Sequence, residues 1–193
     1  NYSINVLNIE VDLPAIIDQL VTFDGYLRKK DQGDVRNFNM VFYGPPGAGK
    51  SELARFIATR LKRELLVKRA SDIVSLYVGE TEKNISRVFT QAENMEAVLV
   101  IDEADSFLYE RARAGRSWEI SHTNEFLTQM ERFRGILICT TNRFNDLDSA
   151  SLRRFNHKIG FRELTPEGNQ IFYKKLLGLM TDEDLTTTQN ERL

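Results

Sequence analysis

The run Gly44-Pro45-Pro46-Gly47-Ala48-Gly49-Lys50-Ser51 fits the pattern G-x-x-x-x-G-K-[ST]. Glycines at these places let a main chain wrap closely around phosphate oxygens. The N–H groups of the loop and of a following helix then point at the anion. Lys50 reaches the β- and γ-phosphates, and Ser51 offers a hydroxyl to Mg²⁺. The plain alternative is a chance glycine turn. The context argues against it, because an apolar run ends at Tyr43 and a helical pattern opens after Gly49.

A second run, Val98-Leu99-Val100-Ile101-Asp102-Glu103, closes an apolar stretch with two adjacent carboxylates. In open parallel sheets ligands gather at the carboxyl ends of strands, which would put both acids beside the phosphate loop. There Asp102 can hold Mg²⁺ through water and Glu103 can polarise an attacking water as a general base. Alone, the pair would read as a solvated acidic turn; with the phosphate loop upstream the chemical reading is preferred. Asp102-Glu103-Ala104-Asp105 also spells the signature of a helicase class, but those enzymes need a second motor domain for which this chain has no room.

Ile138-Cys139-Thr140-Thr141-Asn142 ends another apolar run in polar residues. The Asn142 amide orients the lytic water, senses the γ-phosphate, or simply caps a turn. Arg153 and Arg154 precede the last apolar run. They are either a solvated basic pair or groups that neutralise a transferring phosphoryl.

The elements that would position these residues follow from periodicity. Leu13, Ile16, Ile17 and Leu20 mark one helix face, with Asp12 as N-cap and Pro14 in the first turn; Phe23 and Leu27 extend it. A polar stretch from Lys29 to Asn37 separates it from a strand over Asn39–Tyr43. Leu53, Phe56, Ile57 and Leu61 form the next helix face, and Leu65–Val67 a short strand. Ile85, Val88, Phe89 and Ala92 line a helix over Glu80–Glu93, and Ile120, Leu127 and Met130 one over Ser117–Glu131. Val98–Ile101 and Ile136–Cys139 are apolar on both faces, as strands covered on two sides must be. Lys158–Phe161 is a last strand. Strands alternating with helices of this length predict an α/β fold with a parallel sheet flanked by helices.

Between Glu110 and Ser117 runs a polar loop, Arg-Ala-Arg-Ala-Gly-Arg. Beyond Thr165-Pro166 the pattern is helical only, through Ile171, Phe172, Leu176 and Leu179. The expected division is therefore 1–164 for the α/β unit and 165–193 for the beginning of a helical lid. His122 is expected on a helix surface, His157 at a strand edge, Cys139 in a core strand, and Trp118 packed at a helix start.

Composition narrows the function. The chain has 193 residues, a formal net charge of -2, 41% hydrophobic and 28% charged residues, which is ordinary for a globular fold. Its single cysteine and two histidines provide neither a disulfide framework nor a His/Cys metal cluster. Mild acidity argues against a nucleic-acid coat. No apolar run approaches the roughly 20 residues of a spanning helix, and no signal peptide is visible. The chain is thus expected in the cytoplasm and, lacking a starting methionine, as a piece of a longer or processed protein.

Taken together and in this order, the motifs resemble the ATPase domain of the AAA+ superfamily from about Phe38 to Phe161. The likeness is to the AAA branch with katanin, the endosomal-sorting disassembly ATPase and FtsH-like proteases. The wording around Arg116-Ser117-Trp118-Glu119 also resembles little-described bacterial members. The resemblance implies that Gly44 to Ser51 is Walker A, Val98 to Glu103 Walker B and Asn142 sensor 1. It implies that Arg153 and Arg154 are arginine fingers reaching a neighbouring subunit's nucleotide, the tandem form being similar to the katanin group. Leu76-Tyr77-Val78-Gly79-Glu80 resembles the first pore loop, where Tyr77, Val78 and Gly79 would grip polypeptide; otherwise Leu76, Tyr77 and Val78 pack beneath the loop. An adenine-contacting segment before Asp12 and a sensor-2 residue are not recognisable.

The implied function is Mg²⁺-dependent ATP binding and hydrolysis by a homo-oligomeric ring, expected to be a hexamer in the full-length protein, that remodels a polypeptide substrate or adaptor. A nucleic-acid motor or loader of the same fold is disfavoured by low positive charge and by Tyr77-Val78-Gly79. A small-molecule P-loop kinase is disfavoured by Asp102-Glu103, which suits water as the acceptor.

Overall fold

The computed structural model describes residues 7–29, 37–109, 117–163 and 168. The expected polar loop at 111–116, the side chain of Trp118, and the expected lid from residue 165 onward (apart from residue 168) lie outside the described residues.

The chain opens with α1 (Leu13–Arg28), where the Asp12 carboxylate accepts from the Ala15 N–H at 3.1 Å as the expected N-cap. Then come β1 (Phe38–Tyr43), α2 (Lys50–Leu61), β2 (Leu65–Arg69), α3 (Ala70–Ile73) and α4 (Glu80–Asn94). They are followed by β3 (Val98–Asp102), α5 (Asp105–Leu108), α6 (Ser117–Arg132), β4 (Ile136–Thr141), a 3₁₀ turn (Phe144–Asp146), α7 (Ser149–Leu152) and β5 (His157–Gly160). The five strands form one parallel sheet in the order β2-β3-β4-β1-β5.

Alternation along the buried strands divides the core in two. Met40, Phe42, Val98, Val100, Ile136 and Ile138 face α1 and α2. Val41, Leu99, Ile101, Leu137 and Cys139 face α3 to α6. Successive side chains of a strand point to opposite faces, so both must be apolar when helices cover both. Burying Phe42 alone, at 0% exposure, contributes about 1.5–3 kcal/mol. Burial also pushes the Cys139 thiol pKa up, which keeps it an inert core residue.

Two features of α6 differ from expectation. Ile120 is 37% exposed, and His122 is 8% exposed rather than on the surface. The buried face instead carries His122, Thr123, Phe126, Leu127 and Met130. The reason lies on α4: the Ser121 hydroxyl donates to Glu82 Oε1 at 2.7 Å, and His122 Nε2 lies 3.8 Å from Glu82 Oε2. These polar contacts, with the Ser121 bond the largest influence, also hold the Glu82 carboxyl below its usual pKa. His157 does sit on the edge strand β5, stacked on Phe38. Burial, and secondarily Lys158, lowers its pKa.

The N-terminal helix is fastened by a buried charge cluster. Asp24, 6% exposed, accepts from Arg28 Nε at 2.7 Å and from Arg63 Nε. Arg28 also donates to the Leu61 carbonyl at 2.9 Å and Arg63 to the Glu96 carbonyl at 2.6 Å. One carboxylate thus links α1, the end of α2 and the turn before β3. Removing one partner of a buried pair strands the other's charge and costs about 3–5 kcal/mol. Asp24→Ala should therefore lower the thermal midpoint by roughly 10 °C, at about 2–4 °C per kcal/mol for a chain of this size. A scanning-calorimetry midpoint within 2 °C of the parent, on the order of one such increment, would remove the cluster from the stability account.

Candidate active site

The phosphate loop leaves β1 at Tyr43 and enters α2 at Lys50. Its turns are left-handed at Gly47 (φ +76°) and Gly49 (φ +95°), where glycine adopts the conformation without strain. Gly44 is required for another reason: a Cβ there would lie 2.2 Å from the Phe161 carbonyl oxygen. Ala48 is buried in the core beneath the loop, while Ser51 stands exposed at the start of α2.

Strand order then decides which groups meet. β4 lies between β1 and β3, so its carboxyl end falls between the phosphate loop and the acids of β3. The result is a cavity of about 370 Å³. Pro46, Gly47, Gly49, Lys50 and Ser51 line one wall; Asp102 and Glu103 line the other, with Thr140, Thr141 and Asn142 between them. Glu52 completes the rim.

Lys50 is the hub. Its ammonium donates to the carbonyls of Gly44 at 2.7 Å and Pro45 at 2.8 Å, and to Asn142 Oδ1 at 2.7 Å. Partial burial lowers its pKa, and the carboxylates of Asp102 and Asp105 pull it back up. A partly dried ammonium attracts a phosphate more strongly than one in bulk water. Glu103 has φ +54°, a left-handed conformation that costs a non-glycine residue on the order of 1–3 kcal/mol. Strain of this kind persists only where surrounding contacts enforce it.

Arg153 and Arg154 are not brought to this cavity. The Asn39 N–H donates to Asn156 Oδ1 at 2.7 Å, the Asn156 N–H returns to the Asn39 carbonyl at 2.8 Å, and Asn39 Nδ2 donates to the Arg154 carbonyl at 3.2 Å. The arginines therefore flank the beginning of β1, whereas the phosphate loop leaves its end. At about 3.3 Å per residue, Asn39 to Tyr43 is roughly 13 Å. Arg154 is tethered to Glu131 Oε1 at 2.6 Å and to the Ala150 carbonyl at 2.6 Å. Arg153 is exposed and has no side-chain bond among the described residues.

The segment before α4 is also separate. Leu76, Tyr77 and Val78 are 101%, 77% and 103% exposed, so they do not pack beneath their loop. Gly79, at φ +77°, turns the chain into α4.

Comparison with known proteins agrees with this fold. The family model for the ATPase family associated with various cellular activities (AAA) matches residues 40–163. The chain belongs to the AAA ATPase family. The match covers β1 from Met40 onward, the phosphate loop, both acids, Asn142 and the arginine pair. This AAA domain is 34% identical over 157 residues to spastin of Drosophila erecta, covering 77% of the chain, and equally to spastin of Drosophila melanogaster. It spans about 20% of the length of these relatives. The crystal structure of the FIGL-1 AAA domain in complex with ADP superposes with a TM-score of 0.71 at 27% identity, covering 100% of this chain and 66% of that one. This AAA domain is thus an ATPase module whose ligand is a nucleotide, and none of its described helices is long and apolar enough to cross a membrane.

Thr140, Thr141 and Glu52 line the cavity without a role from motif reading; the two threonines lie between the phosphate loop and the acids. The only signal is their polarity at the end of an otherwise apolar strand.

Proposed function

We propose that this AAA domain drives a ring of identical copies, a hexamer, that works in the cytoplasm and uses ATP to remodel or unfold a polypeptide or its adaptor. The α/β unit ends at residue 164 in this reading, and 165–193 begins the lid. Polypeptide as the partner is carried by one observation: an aromatic and two aliphatic side chains at 76–78 stand almost wholly in solvent at the head of α4. Apolar groups so exposed favour contact with a chain that is itself unfolded and partly apolar. The net charge of -2 counts against a nucleic-acid track.

Within the cavity, the turn of Gly44, Pro45, Pro46, Gly47, Ala48 and Gly49 cradles the phosphates with main-chain N–H groups and the α2 N-terminus. Lys50 neutralises phosphate charge, in competition with its bond to Asn142. The donor set suits Mg²⁺: the Ser51 hydroxyl and the Asp102 carboxylate are hard oxygen ligands facing one cavity. Bound there, Mg²⁺ would supply charge neutralisation on the phosphate oxygens. Glu103 takes the proton of the attacking water, and Asn142 orients that water. Arg153 and Arg154 stabilise phosphoryl charge in the adjoining copy, since about 13 Å of strand separates them from their own loop.

The test of the polypeptide reading is Tyr77→Ala. Truncating an aromatic anchor should weaken capture of an unfolded model polypeptide by about tenfold or more and remove its stimulation of hydrolysis. ADP affinity by calorimetry should match the parent. Lost ADP binding would mean instead that Tyr77 supports the nucleotide cavity.

A further inference from the structure

The acid-bearing turn after β3 is laid across the end of β4, and one residue receives it. The Thr140 hydroxyl donates to Asp102 Oδ1 and accepts from the Glu103 N–H at 3.2 Å. The Thr140 carbonyl accepts from the Ala104 N–H at 3.0 Å. Three consecutive residues of the turn are thus bonded to a single threonine that is itself 2% exposed. Glu103, the middle one, holds its left-handed φ of +54° there. A hydroxyl carries one proton and two lone pairs, so it serves the carboxylate and the amide at once; valine or alanine serves neither.

We propose that Thr140 is the positioning residue of the hydrolytic centre. Its hydroxyl fixes the rotation of the Asp102 carboxylate, and its two bonds to the turn hold the Glu103 main chain in the conformation that presents the base. The proposal rests on the roles given above to Asp102 and Glu103. Thr141 makes a comparable bracket one residue on, donating to Asp105 Oδ1 and accepting from the Arg143 N–H at 2.8 Å. That bracket supports the turn carrying Asn142 and touches neither Asp102 nor Glu103. The two threonines therefore divide the work, and only Thr140 is bonded to both acids.

The experiment compares Thr140→Val, Thr140→Ala and Thr140→Ser with the parent. ADP affinity is measured by calorimetry with and without Mg²⁺, and turnover separately. Both hydroxyl-free variants should bind ADP without metal within about twofold of the parent. The gain in affinity that Mg²⁺ confers should fall about tenfold or more, the usual effect of losing a group that orients a metal ligand. Turnover at saturating ATP should fall about 10–100-fold. Thr140→Ser should restore both, and if Thr140→Val does not fold, the alanine and serine variants carry the comparison. An unchanged Mg²⁺ gain and turnover in a hydroxyl-free variant would overturn the proposal. So would a serine variant as impaired as valine, since packing of the methyl would then be the cause. Full turnover in Glu103→Gln would instead overturn the role of Glu103, and the Mg²⁺-linked binding would still test Thr140 against Asp102.

Discussion

A protein carrying Arg153→Ala and Arg154→Ala should bind ADP like the parent and hydrolyse ATP about 10³–10⁵-fold more slowly, the usual worth of an arginine supplied to a phosphoryl transition state. The size follows from charge. A transferring phosphoryl spreads negative charge over its equatorial oxygens, and among the described residues the cavity lining supplies Lys50 but no arginine. The arginine pair lies beside the beginning of β1, where the Arg154 carbonyl accepts from Asn39, so under the proposed function it acts on the nucleotide of another copy. The two positions should not be equal. Arg154 is already held by Glu131 and Ala150, while Arg153 stands exposed. Turnover per site at saturating ATP, with calorimetry to show an intact cavity, measures the loss. A double variant within tenfold of the parent would remove these arginines from the chemistry.

Glu103→Gln should lower turnover about 10²–10⁴-fold, the range for removing a general base. The amide keeps the size of the side chain and the main-chain N–H that Thr140 receives, so the turn is not expected to move. ATP and Mg²⁺ should bind as in the parent, because Lys50, Ser51 and Asp102 are untouched. Single-turnover hydrolysis after preloading with ATP separates the chemical step from binding. A rate within a few-fold of the parent would mean that another group activates the water.

Much of this arrangement is legible in the residues because backbone rules are strict there. A glycine turn between a buried apolar strand and an amphipathic helix has few other uses, and the five strands fall within a residue or two of where the short apolar runs put them. Strand order is different. Nothing local to Ile136–Thr141 says that this strand inserts between β1 and β3, yet that insertion is what sets Asn142 between the phosphate loop and the acids. The four-residue helices α3, α5 and α7 are too short to display a period. The burial of His122 depends on Glu82 and Ser121 across two helices, which no single-helix pattern encodes. The burial of Asp24 depends on Arg63, 39 residues further along the chain, which no pattern within α1 encodes. Thr140 is of the same kind: its hydroxyl bonds to Asp102 at the end of the neighbouring strand and to Glu103 in the turn after it, and its own segment gives only a polar end.

The claim at the centre of the account is that each nucleotide site is finished by arginines from another copy. The most direct measurement mixes two inactive proteins, one carrying Arg153→Ala with Arg154→Ala and the other Glu103→Gln, and follows phosphate release as their ratio is varied. Mixed assemblies should regain turnover, with a maximum at intermediate ratios, because a site with an intact Glu103 then faces a neighbour with intact arginines. Assemblies shown to contain both proteins and yet releasing phosphate no faster than either alone would contradict the account.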